Sequence, residues 1–254
     1  MIFIRQNFYT TATMFTSSNG TSSAANLFDT NRATQYVTEN AGSDVTTATF
    51  TIAFASTQTV SQVLLLNHNL NQFRVFYNGV TANSWANETT NSATSNYYAV
   101  TTATAVTSVT LQMDQTIAAN SEKTVGEFII SNLLYDFSTN RLPTYKEYQP
   151  KIAKQQFVHQ MSDGGTSIFN LRNKFSADLE LDFAPTATVA SLKTIYDLAD
   201  PVIFVPAETS ASWDGEAAEV VWTGPFTFLE LSHNNRGNGF SGKLTLRQTP
   251  GGSF

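Results

Sequence analysis

The chain has 254 residues, 41% of them apolar and only 13% charged. That is enough to bury one large β core or two ordinary ones, and it excludes charge-driven disorder. The net charge of −6 excludes a duplex nucleic-acid binder, which needs clustered cations, and the absence of cysteine excludes disulfide staples and thiolate metal or redox sites.

The opening MIFIRQNFYTT is too short an apolar run for a signal peptide, and no stretch of about 18 apolar residues is present to cross a bilayer. Synthesis in a cytoplasm with no membrane span is therefore expected. Charge is uneven along the chain. Before Lys123 the only cations are Arg5, Arg32 and Arg74, which points to two segments of different character. Aromatic residues at 12% and abundant β-branched threonine predict a mainly β protein.

In chain order, Asn26-Leu-Phe-Asp29 reads as a turn, followed by Thr34-Gln35-Tyr36. Strands are predicted over 48–54, where Phe50, Ile52 and Phe54 alternate with small or polar residues, and over 60–66. Val63–Leu66 is apolar without interruption, so this strand should be covered on both faces. Phe73 to Tyr77 is a further strand closed by Asn78-Gly79, a strong turn signal. Strands at 97–101, 106–113 and 125–132 complete a first unit.

The order of these parts resembles a discoidin-like, galactose-binding-type β-sandwich of jelly-roll form. Tyr36 stands where the family has Trp, and Ser108-Val-Thr-Leu-Gln112 and Glu127-Phe-Ile-Ile130 stand at its late strands. The resemblance covers about half the chain and implies a binding or assembly module. Its early loops hold Asp29 and Asp44, where relatives sometimes bind structural calcium. One carboxylate per loop falls short of the six to eight oxygens that calcium takes, and an Asx turn at Asp29 is the alternative. Tyr36, Trp85, Tyr97 and Tyr98 form a sugar-stacking platform if they share a rim, and are core or lid aromatics otherwise. Asp29, Tyr36, His68 and Trp85 are the candidate rim for a ligand or partner.

Residues 134–150 read as a connector, giving domains 1–138 and 139–254. A hairpin follows, with strands 155–161 and 166–172 around Ser162-Asp-Gly-Gly165. Phe175, Ala177, Leu179, Leu181 and Phe183 then alternate in a half-buried strand. One helix is predicted at about 187–199, opened by Pro185-Thr186 and stopped at Asp200-Pro201, with Val189, Leu192, Ile195, Tyr196 and Ala199 at helical spacing. Strands at 201–206, 220–222, 224–231 and 242–248 finish a second β-sandwich or barrel with one packed helix. Hairpin, strand, helix, strand pair and final strand, together with Ile195-Tyr-Asp-Leu198 and Pro201-Val-Ile-Phe-Val-Pro206, resemble the tail-tube and distal-tail proteins of long-tailed phages.

Catalytic patterns fail on context. Gly237-Asn-Gly-Phe-Ser-Gly242 matches a dinucleotide-binding pattern in letters, but a strand rather than a helix is predicted after it, so a hairpin loop is expected. His68, His159 and His233 have no partner at metal-ligand spacing, and no nucleophile elbow occurs. No enzyme activity, cofactor or metal is expected. The expected function is that of a virion structural protein of a phage tail tip or baseplate, forming a six-fold ring with itself and contacting other tail proteins and, through the first unit, host-surface glycan. A carbohydrate-binding module is the alternative.

Overall fold

The computed structural model describes residues 1–5, 8, 12–17, 24–29, 31, 34–38, 46–100, 105–137, 144–160, 166–198, 200–206, 217–233 and 237–249. Asp44 and the turn Ser162–Gly165 lie outside them, as do the side chains of His159 and His233. The protein is mainly β. The strands are β1 (Ile2–Ile4), β2 (Ala12–Ser17), β3 (Tyr36–Val37), β4 (Ala48–Thr59), β5 (Gln62–His68), β6 (Leu70–Tyr77), β7 (Ser84–Glu88), β8 (Asn96–Ala99), β9 (Ala105–Thr116) and β10 (Thr124–Ser131). They continue with β11 (Leu133–Asp136), β12 (Thr144–Gln160), β13 (Thr166–Ala184), the helix α1 (Thr186–Tyr196), β14 (Val202–Val205), β15 (Ala218–Thr223), β16 (Phe228–His233) and β17 (Gly237–Gln248).

Two compact units result, one of Met1–Leu134 with Ile203–Ala217, the other of Tyr135–Val202 with Ala218–Ser253. The first is a sandwich of two antiparallel sheets, β2-β4-β9-β6-β7 and β3-β10-β5-β8. Alternation in β4 buries Phe50 and Ile52 between the sheets with Phe73, Leu111 and Phe128. The unbroken apolar run of β5 has the reason predicted for it. Val63 and Leu65 face the sandwich core, while Leu64 and Leu66 face a second cluster built from Ile2, Ile4, Ile203 and Val205. β1 and β14 supply those residues by pairing antiparallel, Ile2 with Val205 and Ile4 with Ile203. Ile203, Val205 and Ala217, read from sequence as part of the second domain, therefore pack in the first unit, where β14 extends the apolar layer that β1 begins.

In the second unit β15 and β16 pair successive stretches of β17, which pairs β13, which pairs β12. The predicted connector is largely strand, since Thr144–Pro150 runs straight into β12. Pro150 is tolerated because β12 ends the order of strands, and an edge strand leaves alternate N–H groups out of the ladder. Alternation in β13 buries Ala177, Leu179 and Leu181, then breaks at a bulge between Leu181 and Ala184. Phe183 takes a left-handed φ of 56° there, and Ala184 is buried in its place.

Helix α1 begins after Pro185 and ends with Asp197 as its C-cap, so it stops short of the predicted 199; Ala199 lies outside the described residues. Thr188, Leu192 and Ile195 are its buried face. Thr188 takes the inward place expected of Val189, because its hydroxyl and the buried Tyr135 hydroxyl bond at 2.8 Å. The glycine-rich Gly237–Gly242 lies within β17 rather than in a loop. Its glycines answer close approaches: a Cβ on Gly239 would lie 2.9 Å from the Phe183 backbone, and one on Gly242 would lie 2.5 Å from the Phe228 ring.

Candidate functional site

Strand β6 ends in Tyr77 and turns through Asn78 and Gly79, with φ of 55° and 67°, the left-handed pair that an Asn-Gly turn provides. Val80 N–H donates to the Tyr77 carbonyl and Asn83 N–H to the Val80 carbonyl, so the connection to β7 is two consecutive turns. Asn78 ties it down: its side-chain oxygen accepts from Thr107 N–H at 2.8 Å and its amide donates to the Ala105 carbonyl at 3.1 Å.

On return, β7 pairs Ser84 with Phe76 and Ala86 with Val75, so Trp85 is an extra residue opposite no partner. A bulge of this kind re-aims its side chain. The Trp85 ring stacks on Tyr77 at 4.7 Å between centroids and 23° between planes. The pair borders a half-open groove of about 240 Å³ lined by Tyr77, Ala82, Asn83, Ser84, Trp85, Ala99 and Val100.

The polar inventory of this groove divides in two. Ser84 is committed, its hydroxyl donating to the Ala86 carbonyl at 2.5 Å. The Tyr77 hydroxyl, the Asn83 amide and the Trp85 indole N–H carry no hydrogen bond among the described residues. Next to the groove the Tyr98 hydroxyl donates to Glu88 Oε1 at 3.0 Å; burial, then the Glu88 carboxylate, pushes the Tyr98 phenol well above its ordinary value. Two stacked rings with three open polar groups of neutral chemistry make a surface suited to a ring-shaped, hydroxylated ligand.

The four residues singled out from sequence do not share this rim. Asp29 is exposed and makes the Asx turn: its carboxylate accepts from Asn31 N–H at 2.9 Å and from the Thr34 hydroxyl at 2.6 Å. Tyr36 is 1% exposed, a core residue packed on Phe50 at 5.6 Å. His68 is 2% exposed and lies opposite Val125, as Tyr36 does, so the two flank β10 inside the sandwich. Trp85 alone of the four lines the groove. Of the other aromatics weighed with it, Tyr97 belongs to the second cluster and Tyr98 is half-buried. Tyr77 was missed as a site residue, though an Asn-Gly turn followed by Trp six residues after the glycine is the local signal that brings the two rings together.

His68 is the hub of a buried polar network. Leu70 N–H donates to its Nδ1 at 3.1 Å, so Nε2 carries the proton and donates to Asn96 Oδ1 at 2.8 Å. Asn91 extends the network, its amide donating to the carbonyls of Leu70 and Ala93, both at 2.7 Å. Burial drives the His68 imidazole down to about 4, opposed by the Asn96 bond. Every partner is spoken for, which makes the network structural. Among the described residues no group of three or more His, Cys, Asp or Glu is placed to hold a metal, and no helix is long and apolar enough to cross a membrane.

No protein-family model and no curated protein matches the chain. Neighbours among solved structures include carbohydrate-binding modules. Chitosan-binding module 1 of a chitosanase/glucanase from Paenibacillus sp. IK-5 is 18% identical at a TM-score of 0.41, covering 50% of this chain and 98% of that one. The family 32 module of Clostridium perfringens NanJ, solved with galactose, is 12% identical at 0.43, covering 52% and 100%. A further C. perfringens family 32 module, solved with GlcNAc-α-1,4-galactose, is 14% identical at 0.40, covering 50% and 93%.

Proposed function

We propose that the first unit is a glycan-binding module and that the Tyr77–Trp85 shelf is its contact surface. The observation that carries this is the bulge at Trp85, which seats an indole on Tyr77 beside polar groups that carry no hydrogen bond among the described residues. An apolar sugar face stacks on an aromatic ring while its hydroxyls seek such donors and acceptors. The test is a glycan panel read by calorimetry. Trp85→Ala should weaken binding by about tenfold or more, as loss of an aromatic anchor does, while far-UV circular dichroism stays unchanged. Binding that survives Trp85→Ala and Tyr77→Ala together would remove the shelf from the function.

A second reading is favoured by the second unit. β12 and β13 pair from Thr144/Asp182 to Gln160/Thr166, but among the described pairings β17 backs β13 only over Ser176–Ala184. Among the described residues the outer part, Gln155–Gln160 with Thr166–Arg172, is a two-stranded arm, and such ribbons are marginal alone. We infer a partner for it in a non-enzymatic virion part of a phage tail, in which copies of the chain join head to tail and close as a six-fold ring. Light scattering of the purified chain and imaging of virions test it; a monomer absent from particles would leave the glycan module alone.

A further inference from the structure

The groove also says which sugars it takes, given the glycan-binding reading on which this inference rests. Among the described residues its seven lining residues are all uncharged. The nearby carboxylate, Glu88, is held by the Tyr98 hydroxyl and does not line the groove. The three groups that carry no hydrogen bond among the described residues are a phenol, a carboxamide and an indole N–H, none of which carries charge near neutral pH. Size limits the ligand further: about 240 Å³ is below the roughly 300–1,000 Å³ of sites that hold drug-sized molecules. Ala82, Ala99 and Val100 add methyl groups to the lining.

We infer that the shelf takes a single uncharged pyranose ring, without a metal ion, and discriminates against uronic, sialic and amino sugars. A carboxylate or ammonium brought here would lose water and find no counter-charge, which is costly even in a half-open site. A neutral ring loses nothing comparable, because its hydroxyls match donors and acceptors already in place.

The test is a nuclear magnetic resonance titration of the whole chain that follows the indole N–H of Trp85, assigned by its absence in Trp85→Phe. The neutral probes are methyl galactopyranoside, methyl glucopyranoside and N-acetylglucosamine; the charged ones are galacturonate, N-acetylneuraminate and glucosamine. At least one neutral probe should shift the Trp85 resonance, with charged analogues about tenfold weaker or worse. Affinity should change less than about twofold between roughly 0.05 and 0.5 M salt, and a chelator should have no effect. Three results would overturn the inference and leave glycan binding intact: a charged sugar that shifts Trp85 as strongly as its neutral analogue, loss of binding on chelation, or a trisaccharide bound more than about tenfold tighter than its terminal sugar. A titration in which no probe moves Trp85 would overturn both this inference and the glycan reading.

Discussion

Acid should destabilise the first unit through His68, by an amount the structure sets. Burial disfavours the charged imidazole, against the opposing Asn96 bond, so the folded ring protonates at about 4 where an unhindered one does so at 6.5. The unfolded chain therefore binds this proton first as pH falls. Stability from His68 is fully present above about pH 6.5, drains away between there and about pH 4, and changes no further below. The loss comes to about 2 kcal/mol at pH 5 and about 3 kcal/mol at pH 4. Urea unfolding by circular dichroism at several pH values measures it, with His68→Gln as the control that cannot titrate. The variant should start less stable, because the bonds to Leu70 and Asn96 are disturbed, and the gap to wild type should narrow as pH drops. Two curves that stay parallel to within about 0.5 kcal/mol from pH 7 to 4 would refute the reasoning.

The other predictions concern packing. Leu192 is fully buried on α1, so Leu192→Ala should cost about 2–5 kcal/mol of second-unit stability, measured by thermal or urea unfolding; a loss within about 0.5 kcal/mol, typical of surface changes, would mean the helix does not pack as described. Gly242→Ala puts a methyl into the Phe228 ring and should cost about 1–3 kcal/mol, much of it recovered when Phe228→Ala is added; additive losses would contradict the close approach. In a spectrophotometric titration Tyr98 should ionise well above the ordinary tyrosine range, and Glu88→Gln should bring its transition down, since the carboxylate beside it opposes phenolate formation.

Much of the fold was legible because periodicity reports burial directly. Phe50, Ile52 and Phe54 announced a one-faced strand, Val63–Leu66 a two-faced one, and Leu192 and Ile195 the inward side of a helix; each pattern is local, and the structure places each as read. The connector escaped for an equally local reason: Pro150 and polar residues argue against a central strand and say nothing against an edge. The candidate site was less legible. Tyr36, His68 and Trp85 look alike in sequence, each an aromatic or imidazole among polar neighbours, yet two are interior and one lines a groove. What separates them is non-local. The buried ring of His68 is satisfied by the nearby Leu70 N–H and by Asn96, a residue 28 positions away that Asn91 holds in turn. Trp85 is half-buried against the core yet borders the groove because β7 slips by one residue against β6, and a slip in register is decided by cross-strand pairing that no single stretch of sequence contains. Sequence alone thus determined which residues favour strand, helix and turn and which faces are apolar; only the tertiary structure decided which polar and aromatic side chains find partners inside and which line a surface groove.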